Sequence, residues 1–402
     1  MSEPLIRFEN IHKRFGTNEV LSGVDLSIYE GEITTVIGKS GGGKSVLLKH
    51  IVGLMVQDEG RVLIEGKPLQ EMKRSELRAM KRRFSYMFQG NALFDSMTVY
   101  DNVALPLKEK TSMPKKEIPG QVEKKMDQLD LHDIHNKYPS QLSGGMQKRV
   151  ALARALVTDP EIILFDEPTT GLDPVRKNAV HSMISDYQEQ FGFTGVIVSH
   201  EIPDVFYISQ RIGMLDDGKI IFEGRPEEIQ NSKDPAVQRF IQGFETRHDQ
   251  LTGMAPQSQG EKRFREEIAR MDRYQSVFSL ILLTMEGLGR GQKRDHEAHQ
   301  TALKEFSLRI RNHLRVTDIC SRYGMNKLMI ILPNANQSQA QEVCAKLANK
   351  LQATQGSEAM FGSEGCFRVT AGIAEASKDS PIEQVLSAAE EARNPFYEFR
   401  VC

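Results

Sequence analysis

Gly38-Lys39-Ser40-Gly41-Gly42-Gly43-Lys44-Ser45 has the spacing G-x-x-x-x-G-K-[ST]. Its glycines allow backbone N–H groups to turn inward around phosphate oxygens, and the positive end of a following helix adds to that attraction. Lys44 can reach the β- and γ-phosphates of a bound nucleotide, while the Ser45 hydroxyl is placed for Mg²⁺. A second candidate centre closes the run Ile162-Ile-Leu-Phe-Asp166-Glu167. Asp166 would hold Mg²⁺ through its water shell, and Glu167 would polarise an attacking water. An acid pair after an apolar run says little alone, because many strands end in acidic turns. Downstream of a phosphate loop it gains a reaction to serve.

Three further segments fit the same chemistry. Leu142-Ser143-Gly144-Gly145-Met146-Gln147 precedes a helical pattern, so its N–H groups and the Ser143 hydroxyl can bind a second anion. His200 follows Val196-Ile-Val-Ser, where a neutral imidazole could contact a γ-phosphate, and Gln89 after Tyr86-Met-Phe can report on metal and water. Taken singly, His200 reads as a structural histidine and Gln89 as a loop residue. Their order along the chain, behind a phosphate loop, is what argues for a site.

These residues need strands to end on and helices to begin. Glu32–Ile37, Glu161–Phe165 and Gly195–Ser199 are short apolar or β-branched runs that read as buried strands, and Lys44–Gly53 and Met146–Val157 carry helical patterns. Buried strands alternating with helices predict a mostly parallel sheet covered on its faces. Composition changes between Thr246 and Gly260, which reads as a connector. Beyond it the patterns predict a helix over Glu261–Tyr274, a strand over Phe278–Thr284 and a helix ending near Leu314. A hairpin around Tyr323–Asn326, a helix over Ser338–Leu351, a strand over Phe367–Ile373 and a final helix over Ile382–Arg393 complete a second α/β domain.

With 402 residues the chain is long enough for two or three domains. Its 39% hydrophobic and 26% charged content excludes wholesale disorder. A formal charge of −2 gives no whole-chain basic signal for nucleic acid. The longest strongly apolar stretch, around Val277 to Leu283, is far short of the roughly 20 residues that cross a bilayer. The opening Met-Ser-Glu-Pro lacks the basic and apolar regions of a signal peptide, so docking on membrane partners from the cytoplasm is expected. Cys320, Cys344, Cys366 and Cys402 lack metal-ligand spacing and read as reduced thiols.

The ordered set of motifs, with Gly171-Leu172-Asp173 just after the acid pair, resembles the ABC transporter nucleotide-binding domain over residues 1–247. The fold this implies is an α/β P-loop NTPase domain with a RecA-like core and helical and antiparallel β subdomains. The resemblance implies that Phe15, in Lys-Arg-Phe-Gly, stacks on adenine. It implies that Ser143, Gly144 and Gly145 bind the γ-phosphate held by Lys44 of a second copy. One phosphate loop and one Leu-Ser-Gly-Gly segment per chain then means an ATP-bridged homodimer with two composite sites, across which Asp173 communicates. Phe15 stands where tyrosine is common, and Gly42 adds a glycine to the loop.

The stretch Phe88–Leu107 looks like that of the Mla (maintenance of lipid asymmetry) type ATPases, which energise MCE-domain phospholipid and lipid trafficking. Met146 and the segment Asn231–Gly243 are similar to the same group. The implied partners are inner-membrane permease subunits and an MCE-domain lipid-binding protein, with the chain peripheral on the cytoplasmic face. Exposed Leu93, Phe94, Val99 and Tyr100 would form a groove for a partner's coupling helix. The plainer alternative is a hydrophobic surface loop over the helical subdomain.

Residues 248–402 resemble a GGDEF (diguanylate cyclase) domain. Asp249-Gln-Leu-Thr-Gly-Met looks like its opening turn, Phe278–Glu286 like its metal-binding strand, and Arg322-Tyr-Gly324-Met325-Asn326-Lys327-Leu328 like its signature hairpin. Ala388–Arg393 resembles its terminal helix. Against that family, Thr284 stands for a metal-ligating Asp, Asn326 and Lys327 for two acids, and Met325 for a glycine. A lysine at a carboxylate position removes an oxygen ligand and adds positive charge, so divalent ions should bind poorly and no cyclase activity is expected. Arg315 and Asp318 have the spacing of the family's cyclic di-GMP inhibitory site. The favoured reading is a helix-terminal pair that shapes the next turn, with a cyclic di-GMP site as the alternative.

The expectation is a Mg²⁺-dependent ATPase with Glu167, His200 and Gln89 at the chemistry. Ser45, Gln89 and Asp166 stand at the metal, and a degenerate second domain regulates or scaffolds. An importer ATPase for a small polar solute, a cyclic di-GMP receptor and a soluble non-transport ABC protein are the alternatives. The last usually carries two cassettes in one chain, and one is visible here.

Overall fold

The computed structural model describes residues 3–230, 232–244, 248–287, 296–353, 365–378 and 380–401. It divides into two compact units, Met1–Leu172 with Val180–Glu245, and Asp173–Ala179 with Thr246–Cys402. The expected boundary at 247/248 falls beside Glu245/Thr246, and a short internal segment at Asp173–Ala179 goes with the second unit.

In chain order the first unit carries β1 (Ile6–Phe15), β2 (Asn18–Ile28), β3 (Ile33–Gly38), β4 (Glu59–Ile64), β5 (Lys67–Pro68), β6 (Phe84–Met87), β7 (Ile162–Asp166), β8 (Thr194–Ser199), β9 (Arg211–Asp216) and β10 (Lys219–Gly224). Its helices are α1 (Lys44–Ile51), α2 (Arg74–Arg82), α3 (Val99–Lys110), α4 (Ile118–Gln128), α5 (Gly144–Leu156), α7 (Pro226–Gln230) and α8 (Pro235–Phe244). It also holds the larger part of α6 (Pro174–Phe191). One sheet runs β10-β9-β3-β8-β7-β6, parallel except for the β10–β9 pair. Every residue of β3, β7 and β8 is buried, which is why these strands read as unbroken apolar or β-branched runs. A second, antiparallel sheet runs β2-β1-β4-β5. Helices α3, α4 and α5 pack together as a helical part. The architecture is the expected one: a parallel core with antiparallel and helical additions.

The loop before α3 is tied down by Asn102 and by Arg154, which donates to the carbonyls of Asn91 and Ala92 at 2.7 Å. Asn102 is fully buried, donates to the carbonyls of Phe94, Met97 and Thr98, and accepts from the Phe94 N–H. The Thr98 hydroxyl caps α3 by accepting from Asp101 N at 3.1 Å. Of the four residues expected to be exposed here, Phe94 is exposed, while Leu93 and Tyr100 are half-buried. Val99 is fully buried, a correction with a clear cause: the cap turns the first helical residue inward, where its N–H donates to Lys137 O.

The second unit contains α9 (Gln257–Tyr274), β11 (Phe278–Gly287), α10 (His296–Arg311), β12 (Ile319–Arg322), β13 (Lys327–Pro333), α11 (Gln337–Ala353), β14 (Gly365–Glu375), α12 (Ile382–Glu391) and β15 (Asn394–Val401). Its antiparallel sheet has the order β12-β13-β11-β14-β15. Alternate residues of β11 enter two cores: Ile281, Leu283 and Met285 on one face, Phe278, Leu280 and Leu282 on the other. Two-sided burial explains the continuous apolar run in an antiparallel strand.

The connector expected over Thr246–Gly260 needs correcting. Thr246 and Arg247 lie outside the described residues, but Leu251, Thr252 and Met254 are buried and α9 begins at Gln257. Polar residues there turn inward, with Asp249 Oδ1 accepting from both the N–H and the hydroxyl of Thr252 at 2.7 Å. Cys320 and Cys344 are free thiols, each pushed up to about 12 by burial, which leaves them inert. The side chains of Cys366 and Cys402 lie outside the described residues. Among the described residues no helix is long and apolar enough to cross a membrane.

Candidate functional site

The phosphate loop joins β3 to α1, as its motif requires. Gly43, with φ of +95°, stands immediately before α1, and a Cβ there would come within 2.9 Å of Val20 Cγ1. Only glycine fits both the turn and the close approach. Gly38 is held as tightly, because a Cβ would lie 2.6 Å from Leu215 O. Lys44 donates to the carbonyls of Gly38 and Lys39, both at 2.9 Å, and so folds the loop over its own ammonium. Burial lowers the Lys44 pKa, and the carboxylates of Glu167 and Asp166 oppose that shift. The Lys39 side chain turns away to Asp216 at 3.0 Å, so this residue serves the loop through its backbone. Ser40 and Gly41 are exposed, and Gly42 N donates back to Lys39 O at 3.1 Å.

The carboxylate centre sits at the end of β7. Asp166 is buried, and its Oδ1 accepts from Ser45 Oγ at 2.6 Å. Its Oδ2 accepts from the Tyr86 hydroxyl at 2.8 Å. The Tyr86 pKa is raised, first by burial and then by this bond, so the phenol stays a donor. Ser45 and Asp166 together offer hard oxygen donors beside the start of α1, a set that fits Mg²⁺.

Glu167 gathers the remaining groups. Its φ is +47°, in the left-handed region, while its N–H still donates to Val198 O at 3.0 Å. A strained residue at a strand end, held by the neighbouring strand, is a common device for aiming a functional side chain. Oε1 lies 3.6 Å from Lys44 Nζ and 3.4 Å from His200 Nδ1. Oε2 accepts from Thr170 Oγ1 at 2.9 Å and from Gln89 Nε2 at 3.4 Å. One carboxylate therefore meets the phosphate-loop lysine, the residue after β8 and the second residue after β6. Such an arrangement can orient a water and read the presence of a γ-phosphate.

Phe15 ends β1 with an exposed ring, the only side-chain character needed for stacking on a base. Ser143 caps α5, accepting from Met146 N at 3.3 Å, with Ser143 and Gly144 exposed and Gly145 half-buried. They stand at the start of α5, and the side-chain hydrogen bond Ser143 makes is local. Asp173 Oδ1 accepts from Val175 N at 3.0 Å and Arg176 N at 3.2 Å, capping α6. The structure thus brings Lys44, Ser45, Gln89, Asp166, Glu167 and His200 together and leaves Ser143, Gly144 and Gly145 on a helix start outside that cluster. Tyr86 and Thr170 are additions that sequence reading missed. Tyr86 lies one strand away from Asp166, and the only available hint was its place in the same segment as Gln89.

In the second unit the expected metal positions hold no carboxylate. The Thr284 hydroxyl is buried without a hydrogen-bond partner among the described residues. Asn326 Nδ2 donates to Met285 O at 3.0 Å, and Met285 N donates to Asn326 O at 2.9 Å. The Lys327 ammonium pairs with Glu390. Arg315 N donates to Asp318 Oδ2 at 2.8 Å, so that carboxylate closes the turn leading into β12. Among the described residues no three His, Cys, Asp or Glu side chains converge to hold a metal ion.

The family model for ABC transporters matches residues 21–170, and that for the diguanylate cyclase GGDEF domain matches residues 246–395. The intermembrane phospholipid transport system ATP-binding protein MlaF of Escherichia coli K12 is 37% identical over 240 residues, spanning 60% of this chain and 89% of that protein. The probable ribonucleotide transport ATP-binding protein mkl of Mycobacterium leprae is 39% identical over 238 residues, 59% of this chain and 69% of that protein. Among solved structures, cbiO1 from Clostridium perfringens, part of the ABC transporter complex cbiONQ, superposes with a TM-score of 0.53 at 26% identity. It covers 60% of this chain and all of its own. The ADP conformation of the cassette MJ1267 gives 0.53 at 30% identity with the same coverage.

Proposed function

We propose, from the premise that this chain belongs to the ABC transporter ATP-binding family and carries a GGDEF domain behind its cassette, that its ATP hydrolysis energises phospholipid or lipid trafficking. The partners would be inner-membrane permease subunits and an MCE-domain lipid-binding protein, with the chain peripheral on the cytoplasmic face. The naming of MlaF as a phospholipid transport protein supports the cargo. The exposed Phe94 on a loop clamped by Asn102 supports the permease contact, since a rigid loop loses little entropy when a helix docks.

The observation that carries the site assignment is the convergence on Glu167. With ATP bound, Lys44 and the N–H groups of Gly38–Ser45 hold the β- and γ-phosphates. Ser45 and Asp166 would hold the accompanying Mg²⁺, which neutralises charge on the phosphate oxygens. Glu167 orients the attacking water and draws its proton, and His200 contacts the γ-phosphate. Gln89 would couple this centre to the neighbouring loop that meets the permease. Phe15 stacks on adenine. The phosphates need donors on their open side, and the exposed helix start at Ser143, Gly144 and Gly145 on a second copy supplies them. An ATP-bridged homodimer with Asp173 near its seam follows.

The GGDEF domain is read as a regulator without cyclase activity. A hydroxyl, an amide and an ammonium occupy its three expected carboxylate positions, and the last two are engaged within the protein. The Asp318 carboxylate is used in its own turn, which favours a structural role for the Arg315–Asp318 pair over a cyclic di-GMP site.

The test is ATP turnover by wild type and Glu167→Gln, with size-exclusion chromatography in Mg-ATP. We expect turnover to fall by at least about 100-fold while the variant accumulates as an ATP-bound dimer. Normal hydrolysis by the variant would remove Glu167 as the base.

A further inference from the structure

Asn178, fully buried near the start of α6, uses its side-chain amide in two directions. Nδ2 donates to Pro174 O at 2.9 Å, and Oδ1 accepts from Arg322 Nη2 at 2.8 Å. Arg322, the last residue of β12, is also fully buried. Its Nη1 donates to Asp249 Oδ2 at 3.1 Å and its Nε to Gly324 O at 3.0 Å, while Nη2 also reaches Met325 O at 3.4 Å. One guanidinium therefore holds the opening turn at Asp249, the hairpin turn at Gly324–Met325 and the start of α6. Two more contacts bind the same segment. Val175 packs against the core that contains Leu283, Leu303 and Phe306, and Arg176 Nε lies 3.4 Å from Glu297 Oε1. All of these residues lie in the second unit.

The consequence runs along the chain. Asp173 opens this segment, its carboxylate accepts from the N–H groups of Val175 and Arg176, and the carbonyl of Pro174, between Asp173 and Val175, is held by Asn178. We propose that Arg322, acting through Asn178, is a positioning residue for Asp173, so that the hairpin of the degenerate GGDEF domain sets the turnover of the composite ATP sites. This rests on the reading that places Asp173 at the contact between two copies. A guanidinium suits the task because its planar fork satisfies several fixed acceptors at once, which a lysine cannot do. Replacing the Asn178 amide removes the acceptor that Arg322 Nη2 meets at 2.8 Å and leaves Val175 packing and the Arg176–Glu297 pair as the remaining ties on the start of α6. The phosphate loop is untouched, so the effect falls on kcat rather than on KM.

The test is a double-mutant cycle on the full chain with Asn178→Leu and Arg322→Lys, reading kcat and KM for ATP and the thermal unfolding midpoint. We expect each single variant to lower kcat roughly tenfold, with KM within about twofold, and the double variant to be no slower than either single one. Glu167→Gln is run alongside: its loss of turnover shows that the activity measured is that of the assigned site, so the Asn178 result bears on positioning alone. An unchanged kcat in Asn178→Leu, or losses that multiply in the double variant, would overturn the proposal. Should the leucine variant unfold, Asn178→Ser takes its place, with the same loss of kcat expected and an unchanged kcat again overturning the proposal.

Discussion

Lys148 occupies the helix behind Ser143, with a side chain only 5% exposed. Burial lowers its pKa from 10.5 to about 8. The sign of the resulting pH dependence is fixed by which state holds the proton. Between about pH 8 and 10.5 the unfolded chain keeps a proton that the folded chain has released, so this residue makes stability rise with pH in that window. Below pH 8 both states are charged and the full desolvation penalty applies. At about 1.4 kcal/mol per pKa unit the penalty is a few kcal/mol at most. Lys148→Met should therefore raise the unfolding midpoint at pH 7, and the gain should shrink at pH 10. A denaturant titration at the two pH values reads both, and an equal gain at each would show that packing rather than charge governs the site. Residue-level legibility was uneven in the same way. Gly38–Ser45 could be read because its conformation is encoded within eight neighbours, whereas Tyr86 and Thr170 act through contacts that spacing does not encode.

At the scale of elements, periodicity located β3, β7, β8 and β11 within a residue or a few, because buried strands show as apolar runs. It failed where polar side chains point inward. By composition the Asp249 turn looked like linker, and only the family resemblance marked it as an opening turn; the edge strand β15, opening Asn394-Pro395, looked like nothing at all. The β12–β13 hairpin lies between these cases: its position was legible, and its chemistry was legible only by comparison with a family that keeps its acids. Its internal bonds carry a prediction. Because Asn326 donates to Met285 O and Lys327 is paired with Glu390, neither GTP with Mg²⁺ nor the metal alone should find a ligand set there. Calorimetry of the full chain with millimolar MnCl₂, after saturating the ATP site with a non-hydrolysable analogue and Mg²⁺, should show no further stoichiometric heat. A GTP assay should give no cyclic product. A second site of micromolar affinity, or product above background, would mean that other side chains replace the missing carboxylates.

For the whole molecule, the proposed sharing of each ATP between two copies has a direct test. Lys44 and Glu167 share one cluster, while Ser143 and Gly144 present N–H groups from a separate, exposed helix start. If each ATP needs both, the defects of two different chains should complement each other. Lys44→Ala removes the phosphate ligand of its own chain, and Ser143→Arg blocks the face offered to the other. Each variant alone forms dimers with two damaged sites. In an equal mixture about half of the dimers are mixed, and each mixed dimer has one intact site, which combines Lys44 from one chain with Ser143 from the other. Mixed preparations should then regain about one quarter of wild-type turnover if the two sites fire independently, and less if they must fire together. Turnover no greater than the sum of the two variants would mean that a single chain completes its own site. Recovery fixes the active unit as the pair.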